Sequence, residues 1–134
     1  TEGWTKQSDI GNFKAYQGSL VMDFTGGDSQ MYSPQVQIPA TEYKYLKIRA
    51  KNETNNGNMI VFFARTDDKN WGSGKRFDIA MSTGDKEFKE YIVDLSQNEL
   101  WKGTITGFRV DPVNGTAEGT LYIDSIEFLK ELPQ

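Results

Sequence analysis

Two residue types are missing altogether. The 134-residue chain has no cysteine and no histidine. Without cysteine there is no disulfide framework and no thiolate chemistry. Without histidine the commonest general base near neutral pH is gone, together with histidine-containing triads and histidine metal sites. Any catalytic reading must rest on carboxylates, tyrosine or lysine. A basic excess is also lacking: 15 Lys+Arg stand against 19 Asp+Glu, for a formal charge of -4. Phosphate binding wants a basic excess or patch, so nucleic acid is not an expected partner. No apolar run approaches ~20 residues, so no membrane span is expected. The chain opens on Thr1-Glu-Gly-Trp4 without a signal-like segment, as expected for a processed protein or an excised module.

What remains is a moderately hydrophobic, aromatic-rich chain. Hydrophobic residues make up 37% and aromatics 13%. Aromatic side chains bury large areas and favour strands, which offsets the low hydrophobic share. The length suits one domain over residues 1–134, and no linker divides it.

Short alternating runs follow one another along the chain. Strands are predicted at 18–25, 30–38, 45–51, 59–66, 75–81, 87–95, 107–111 and 120–128, with an irregular opening or short strand before them. Pro34 and Pro39 interrupt and end the second of these runs, as at an edge or bend. Residues 59–66 are apolar on both parities, as in a strand covered on both faces. Residues 96–100 suit a single helical turn. Evenly spaced short strands without a long helix predict an all-β fold, a β-sandwich jelly roll of two antiparallel sheets. Several runs set charges opposite an apolar stripe: Lys47, Arg49, Arg65, Arg76, Asp78, Arg109 and Asp111. Such a pattern fits either a solvated sheet surface or a concave ligand-facing sheet. Asp124 is out of place in the apolar run 120–128. It must face solvent, pair with another group or bind a metal.

The segment Trp101-Lys-Gly-Thr-Ile-Thr-Gly-Phe-Arg-Val-Asp-Pro, followed by Gly119-Thr-Leu-Tyr-Ile-Asp-Ser-Ile-Glu-Phe128, resembles the end of bacterial jelly-roll carbohydrate-binding modules, of the galactose-binding-like superfamily. Glu90-Tyr-Ile-Val-Asp-Leu95 echoes the same family in the middle of the chain. These are non-catalytic modules attached to polysaccharide-degrading enzymes. The resemblance implies binding of a plant or microbial polysaccharide (β-glucan, xylan or mannan) and targeting of a covalently linked catalytic domain, by a secreted or cell-surface bacterial protein that acts as a monomer. It also implies a structural calcium held by a carboxylate of the final strand near the first. Asp124 matches that carboxylate, with Glu2 and Asp23 as companions, since calcium takes hard oxygen ligands.

A sugar offers C–H patches to aromatic planes and hydroxyls to polar side chains. Trp71, between Asn70 and Gly72 in a polar loop, reads as a ligand platform or a loop anchor. Trp4 is a second platform or a staple of the N-terminus to the core, and Trp101 reads mainly as packing. Tyr32 and Tyr122 suit a sheet edge or open face. Arg76 and Arg109 would donate to hydroxyls, with Asp78 and Asp111 accepting. The carbohydrate-binding set is therefore Trp71, Arg76, Asp78, Arg109, Tyr122 and Trp4. Two other readings compete: a structural or adhesive sandwich, which predicts a flat charged sheet and a buried Trp71, and a glycosidase or lyase using paired carboxylates such as Asp78 and Asp111. An isolated carboxylic acid in a cleft, with a raised pKa, would mark the last. Two Asn-x-Thr sequons, at Asn52 and Asn114, matter only where the host glycosylates them.

Overall fold

The computed structural model describes residues 3–16 and 18–132. Eleven strands and one 3-10 turn run through them: β1 Thr5–Ser8, β2 Ile10–Tyr16, β3 Ser19–Phe24, β4 Gln30–Tyr32, β5 Ile38–Pro39, β6 Tyr45–Asn52, β7 Asn58–Arg65, β8 Arg76–Ala80, β9 Lys89–Asp94, the turn Leu95–Gln97, β10 Thr104–Asp111 and β11 Thr120–Leu129. Sheet I has the order β1-β4-β10-β7-β8, with β5 also pairing β10; sheet II has the order β2-β3-β11-β6-β9. Every pairing is antiparallel. The two sheets face one another as the β-sandwich jelly roll that the run spacing predicts.

The opening segment departs from expectation by forming two strands in different sheets. Asp9 sits between β1 and β2 at φ 54, a left-handed conformation that lets the chain switch sheets. Its carboxylate accepts the backbone N–H of Asp28, which secures this corner. The predicted 30–38 strand is two short ones, because a proline has no N–H to offer the ladder and Pro34 breaks it.

Alternation decides which side chains enter the core. In β6, Leu46, Ile48, Ala50 and Asn52 are buried while the residues between them are half-exposed. In β7 both parities are largely buried, as expected of a strand that lies between β10 and β8 and is covered on both faces. Phe63, Phe77, Trp101, Phe108 and Phe128 form a continuous aromatic cluster, with Phe108 and Phe128 stacked at 4.3 Å. Trp101 belongs to this core. Its indole N–H donates to the carbonyls of Ala40 and Tyr43.

Two bulges explain breaks in parity. In β11 the register shifts between Ile123 and Ser125, which pair with successive residues Ala50 and Arg49. Asp124 is the extra residue. One insertion flips the pleat, so Leu121 and Ile123 point inward before it and Ile126 and Phe128 after it. A comparable shift at Thr106 resets β10 between Ile105 and Phe108.

Asn52 is 0% exposed. Its amide donates to the carbonyls of Asn56 and Ser82 and accepts from Thr54, so the first sequon has no free acceptor nitrogen. Asn114 of the second is exposed.

Candidate functional site

The outward side chains of sheet I fall into register. Tyr32 of β4 lies opposite Arg109 of β10, which lies opposite Phe62 of β7, which lies opposite Arg76 of β8. Four adjacent strands thus present tyrosine, guanidinium, phenyl and guanidinium in one line, ~14 Å long at ~4.8 Å per strand. In the neighbouring row, Asp111, Ile60 and Asp78 follow the same order. Both guanidinium groups rest against Phe62, Arg109 at 4.7 Å and Arg76 at 5.5 Å from the ring centroid. Each also pairs along its own strand. Arg109 donates to both Asp111 oxygens, from Nε at 2.9 Å and Nη2 at 3.0 Å. Arg76 donates from Nη2 to Asp78 Oδ1. The same-strand pairing follows from sequence: Arg-x-Asp puts both ends on one face of a strand.

These pairs leave donors free. A guanidinium has five N–H groups, and the contacts to the aspartates use two on Arg109 and one on Arg76. The acids differ. Asp78 is exposed and Asp111 is buried. Burial pushes the Asp111 carboxyl above its ordinary value, and the hydrogen bonds and charge of Arg109 offset this only in part. Burial draws the Arg109 group down, but Asp111 more than compensates and holds it above its ordinary value.

Trp71 closes one end of the row. It is carried on the 66–74 loop between β7 and β8, and it is half-buried. Its ring leans over Gly107 of β10, where an added Cβ would meet Cη2 at 3.7 Å. Its centroid is 5.7 Å from that of Tyr32, with the planes tilted by 57°. Beside the pair is an open cleft of about 260 Å³ whose walls include Tyr32, Gln35, Lys69, Trp71 and Thr106. The Tyr32 hydroxyl donates to Gln30, whose amide donates to Asp28, so the tyrosine is held from below.

The structure therefore brings together Trp71, Arg76, Asp78 and Arg109 of the predicted set, and separates the other two. Tyr122 lies on the outer face of sheet II, opposite Val21 and Lys51. There it packs edge-on against Phe88 with the Lys51 ammonium 4.2 Å from its ring centroid. Trp4 packs against the core instead of facing out, and lines a small cavity of about 190 Å³ with Ala15, Leu20, Ile123 and Asp124. This packing fits the staple reading rather than the platform one. Arg65 also leaves the charged stripe: it is buried, donating to Asp67 and to the carbonyl of Leu100.

The predicted calcium ligands do not converge. Asp124 pairs with Arg49 at 3.3 Å. Asp23 accepts the backbone and side-chain N–H groups of Asn12, which hold its carboxyl below the ordinary value. Asp23 pairs opposite Thr120, four residues along β11 from Asp124, a span of ~13 Å at ~3.3 Å per residue. Such a span is too wide for one ion with ligands at ~2.4 Å. Glu2 lies outside the described residues. Among the described residues no group of three or more acidic side chains is placed to hold a metal.

Nor do the carboxylates make an acid–base pair. Asp78 and Asp111 stand on either side of Ile60, ~10 Å apart by strand spacing, and each is held by an arginine. Asp111 has the raised pKa that marks a general acid, but a carboxyl gripped by both nitrogens of a guanidinium fork is not an isolated acid.

Sequence reasoning left Phe62 and Tyr32 out of the site. The outward parity of Phe62 was visible, but its place between two arginines depends on strand register across β10, β7 and β8.

Comparison with solved structures finds the same β-sandwich fold in several carbohydrate-binding modules. A carbohydrate-binding module of family 28, specific for non-crystalline cellulose, has a TM-score of 0.65 at 12% identity over 95% of this chain and 88% of its own. The family 11 module of Clostridium thermocellum, solved with a β-1,3-1,4-mixed-linked tetrasaccharide, has 0.58 at 12% over 96% and 85%. A low-affinity xylan-binding module of family 86 from Roseburia intestinalis has 0.57 at 12% over 93% and 92%. At these identities the likeness is one of fold. No family model matches the chain, and no curated protein matches it.

Proposed function

We propose that this chain binds a neutral plant or microbial polysaccharide, a β-glucan, xylan or mannan, on the outer face of sheet I without cleaving it. The observation that carries the reading is the line Tyr32–Arg109–Phe62–Arg76 with Trp71 leaning over one end. Trp71 and Tyr32 offer aromatic planes to the C–H faces of a sugar ring. The unspent N–H groups of Arg76 and Arg109 donate to hydroxyls, and Asp78 accepts from them. With each guanidinium already neutralised by an aspartate, the face favours neutral sugars over uronic acids. A row built from four strands suits an extended polymer, gripped over several subsites of modest strength.

The same shape supports the wider role of a tethering module. Linked to a catalytic domain in a secreted bacterial enzyme, it would raise that domain's effective concentration at its substrate. Calcium is assigned no part in the grip, because Asp124 and Asp23 are engaged with Arg49 and Asn12.

Affinity electrophoresis through xylan, mannan, mixed-linkage β-glucan and pectin tests the reading, with and without EDTA and beside Trp71→Ala. One neutral polysaccharide should retard the wild type, equally with and without EDTA, and the variant should migrate freely. Retardation by none of them would overturn the sugar-binding reading in favour of a structural or adhesive sandwich. Retardation that survives Trp71→Ala would move the site off this face.

A further inference from the structure

Lys75 is 1% exposed, although it belongs to the loop end of β8 and carries a charge. An ammonium group taken out of water needs an acceptor for each of its three N–H groups. The structure supplies three. Nζ donates to the carbonyl of Asn70 at 2.5 Å, to the carbonyl of Gly72 at 3.3 Å and to Asp68 Oδ2 at 3.1 Å. All three acceptors come from the loop that carries Trp71, and two of them flank that residue in sequence.

The remaining loop contacts point the same way. The second Asp68 oxygen accepts the backbone N–H of Asn70, so one carboxylate ties the ammonium to the chain just before Trp71. The hydrogen bond from Lys75 is the main reason the Asp68 carboxyl is held below its ordinary value. Ser73 and Gly74 both adopt positive φ, 64° and 84°, and return the chain to β8. A loop of this composition, Thr66-Asp-Asp-Lys-Asn-Trp-Gly-Ser-Gly74, has little apolar surface of its own with which to fold.

We propose that Lys75 is the positioning residue of the Trp71 platform. Its ammonium serves as an internal cation around which the 66–74 loop folds, and by turning the Asn70 and Gly72 carbonyls inward it directs the Trp71 ring outward over Gly107. The role in binding rests on Trp71 being the ligand platform; the role in ordering the loop does not.

Truncation to alanine removes three carbons and the ammonium, the fragment that propylammonium restores. In Lys75→Ala, the indole N–H resonance of Trp71 should shift and broaden while that of Trp101, in the core, keeps its position. The Trp71 resonance is identified by its loss in Trp71→Phe. Retardation by mixed-linkage β-glucan, xylan or mannan, whichever holds the wild type, should fall at least tenfold. Millimolar propylammonium chloride should restore both signals; tetramethylammonium chloride at the same ionic strength should restore neither. A lysine needed only for general stability would move the Trp101 resonance as well and would not be rescued. Asp68→Asn keeps the ammonium and removes one acceptor, so it provides the same readout if Lys75→Ala does not fold. It should displace the Trp71 resonance in the same direction by a smaller amount. An unmoved Trp71 resonance in either folded variant overturns the proposal. If the resonance moves and recovers while Trp71→Phe and Trp71→Ala still bind polysaccharide, Lys75 orders the loop but the platform reading fails. If no polysaccharide holds the wild type, the resonance alone decides the matter.

Discussion

On sheet I Arg76 and Arg109 pair along their own strands, and on sheet II Lys47 and Arg49 pair across strands. Arg76 with Asp78 and Arg109 with Asp111 are two positions apart, so the pairs lie parallel to β8 and β10 on either side of Phe62 in β7. Lys47 of β6 instead reaches Glu90 of β9, and Arg49 of β6 reaches Asp124 of β11. Those pairs staple three strands together. Aromatics follow suit. Phe62 lies between two guanidinium groups within the row that Trp71 and Tyr32 close. Phe88 and Tyr122 are covered by Arg49 and Lys51. The same residue types make an open recognition row in one place and a closed surface in the other, and the direction of pairing separates them.

The sharpest way to break this comparison is through the aromatics. Trp71→Ala should weaken polysaccharide binding ~30-fold or more, the ~2 kcal/mol expected of a central aromatic anchor. Isothermal titration beside Tyr122→Ala checks it. A larger loss in Tyr122→Ala than in Trp71→Ala would exchange the two faces. The next largest effect is on stability. Arg109→Gln leaves the buried Asp111 carboxylate without its fork and should cost ~1.5–3 kcal/mol in urea unfolding. Arg49→Gln breaks an exposed pair and should cost less than ~1 kcal/mol. Similar losses in the two would mean that pairing direction makes no energetic difference.

How much of this could be read beforehand differs from element to element. In β6 and β8 the alternation of apolar and polar residues states the buried face directly, because a pleated strand has a period of two. Arg76 and Asp78 could therefore be assigned to one outward face, as could Arg109 and Asp111. Nothing in their spacing says that Arg76 and Arg109 flank one phenyl ring. Asp124 was legible as an anomaly, but its cause is a bulge set by the pairing of β11 with β6. Lys75 shares the buried parity of Phe77 and Ile79, but no local pattern supplies the Asp68, Asn70 and Gly72 acceptors that let its ammonium be buried there.

Two smaller effects sharpen the contrast. Tyr122→Ala should change polysaccharide affinity by less than about twofold, as expected of a residue outside the contact. The faces should also titrate with opposite sign. Lys47 holds the Glu90 carboxyl below its ordinary 4.5. Glu90 thus contributes stability that is present above that value and lost as pH falls through its folded-state pKa. Burial holds Asp111 above its ordinary 3.8. Its protonated form is the one favoured by folding, so its contribution is present below that value and lost as pH rises through its folded-state pKa. Carboxyl carbon titration by NMR measures both, and Glu90→Gln and Asp111→Asn should flatten opposite slopes of stability against pH. Shifts of the same sign would erase the distinction.

The local pattern of the chain determined most strands, the all-β class, the shared face of Arg76 with Asp78 and of Arg109 with Asp111, and the exclusion of thiol, histidine and basic-patch chemistry. These follow from residue type and a repeat of two, which act over a few positions. Tertiary structure alone decided that Tyr122 and Trp4 stand apart from Trp71, that Asp23 and Asp124 stand apart along β11, and that a buried lysine bonds three acceptors of the Trp71 loop. Strand order and register place residues as remote in sequence as Tyr32 and Arg109, or Val21 and Tyr122, beside one another, and no local periodicity encodes which strands meet.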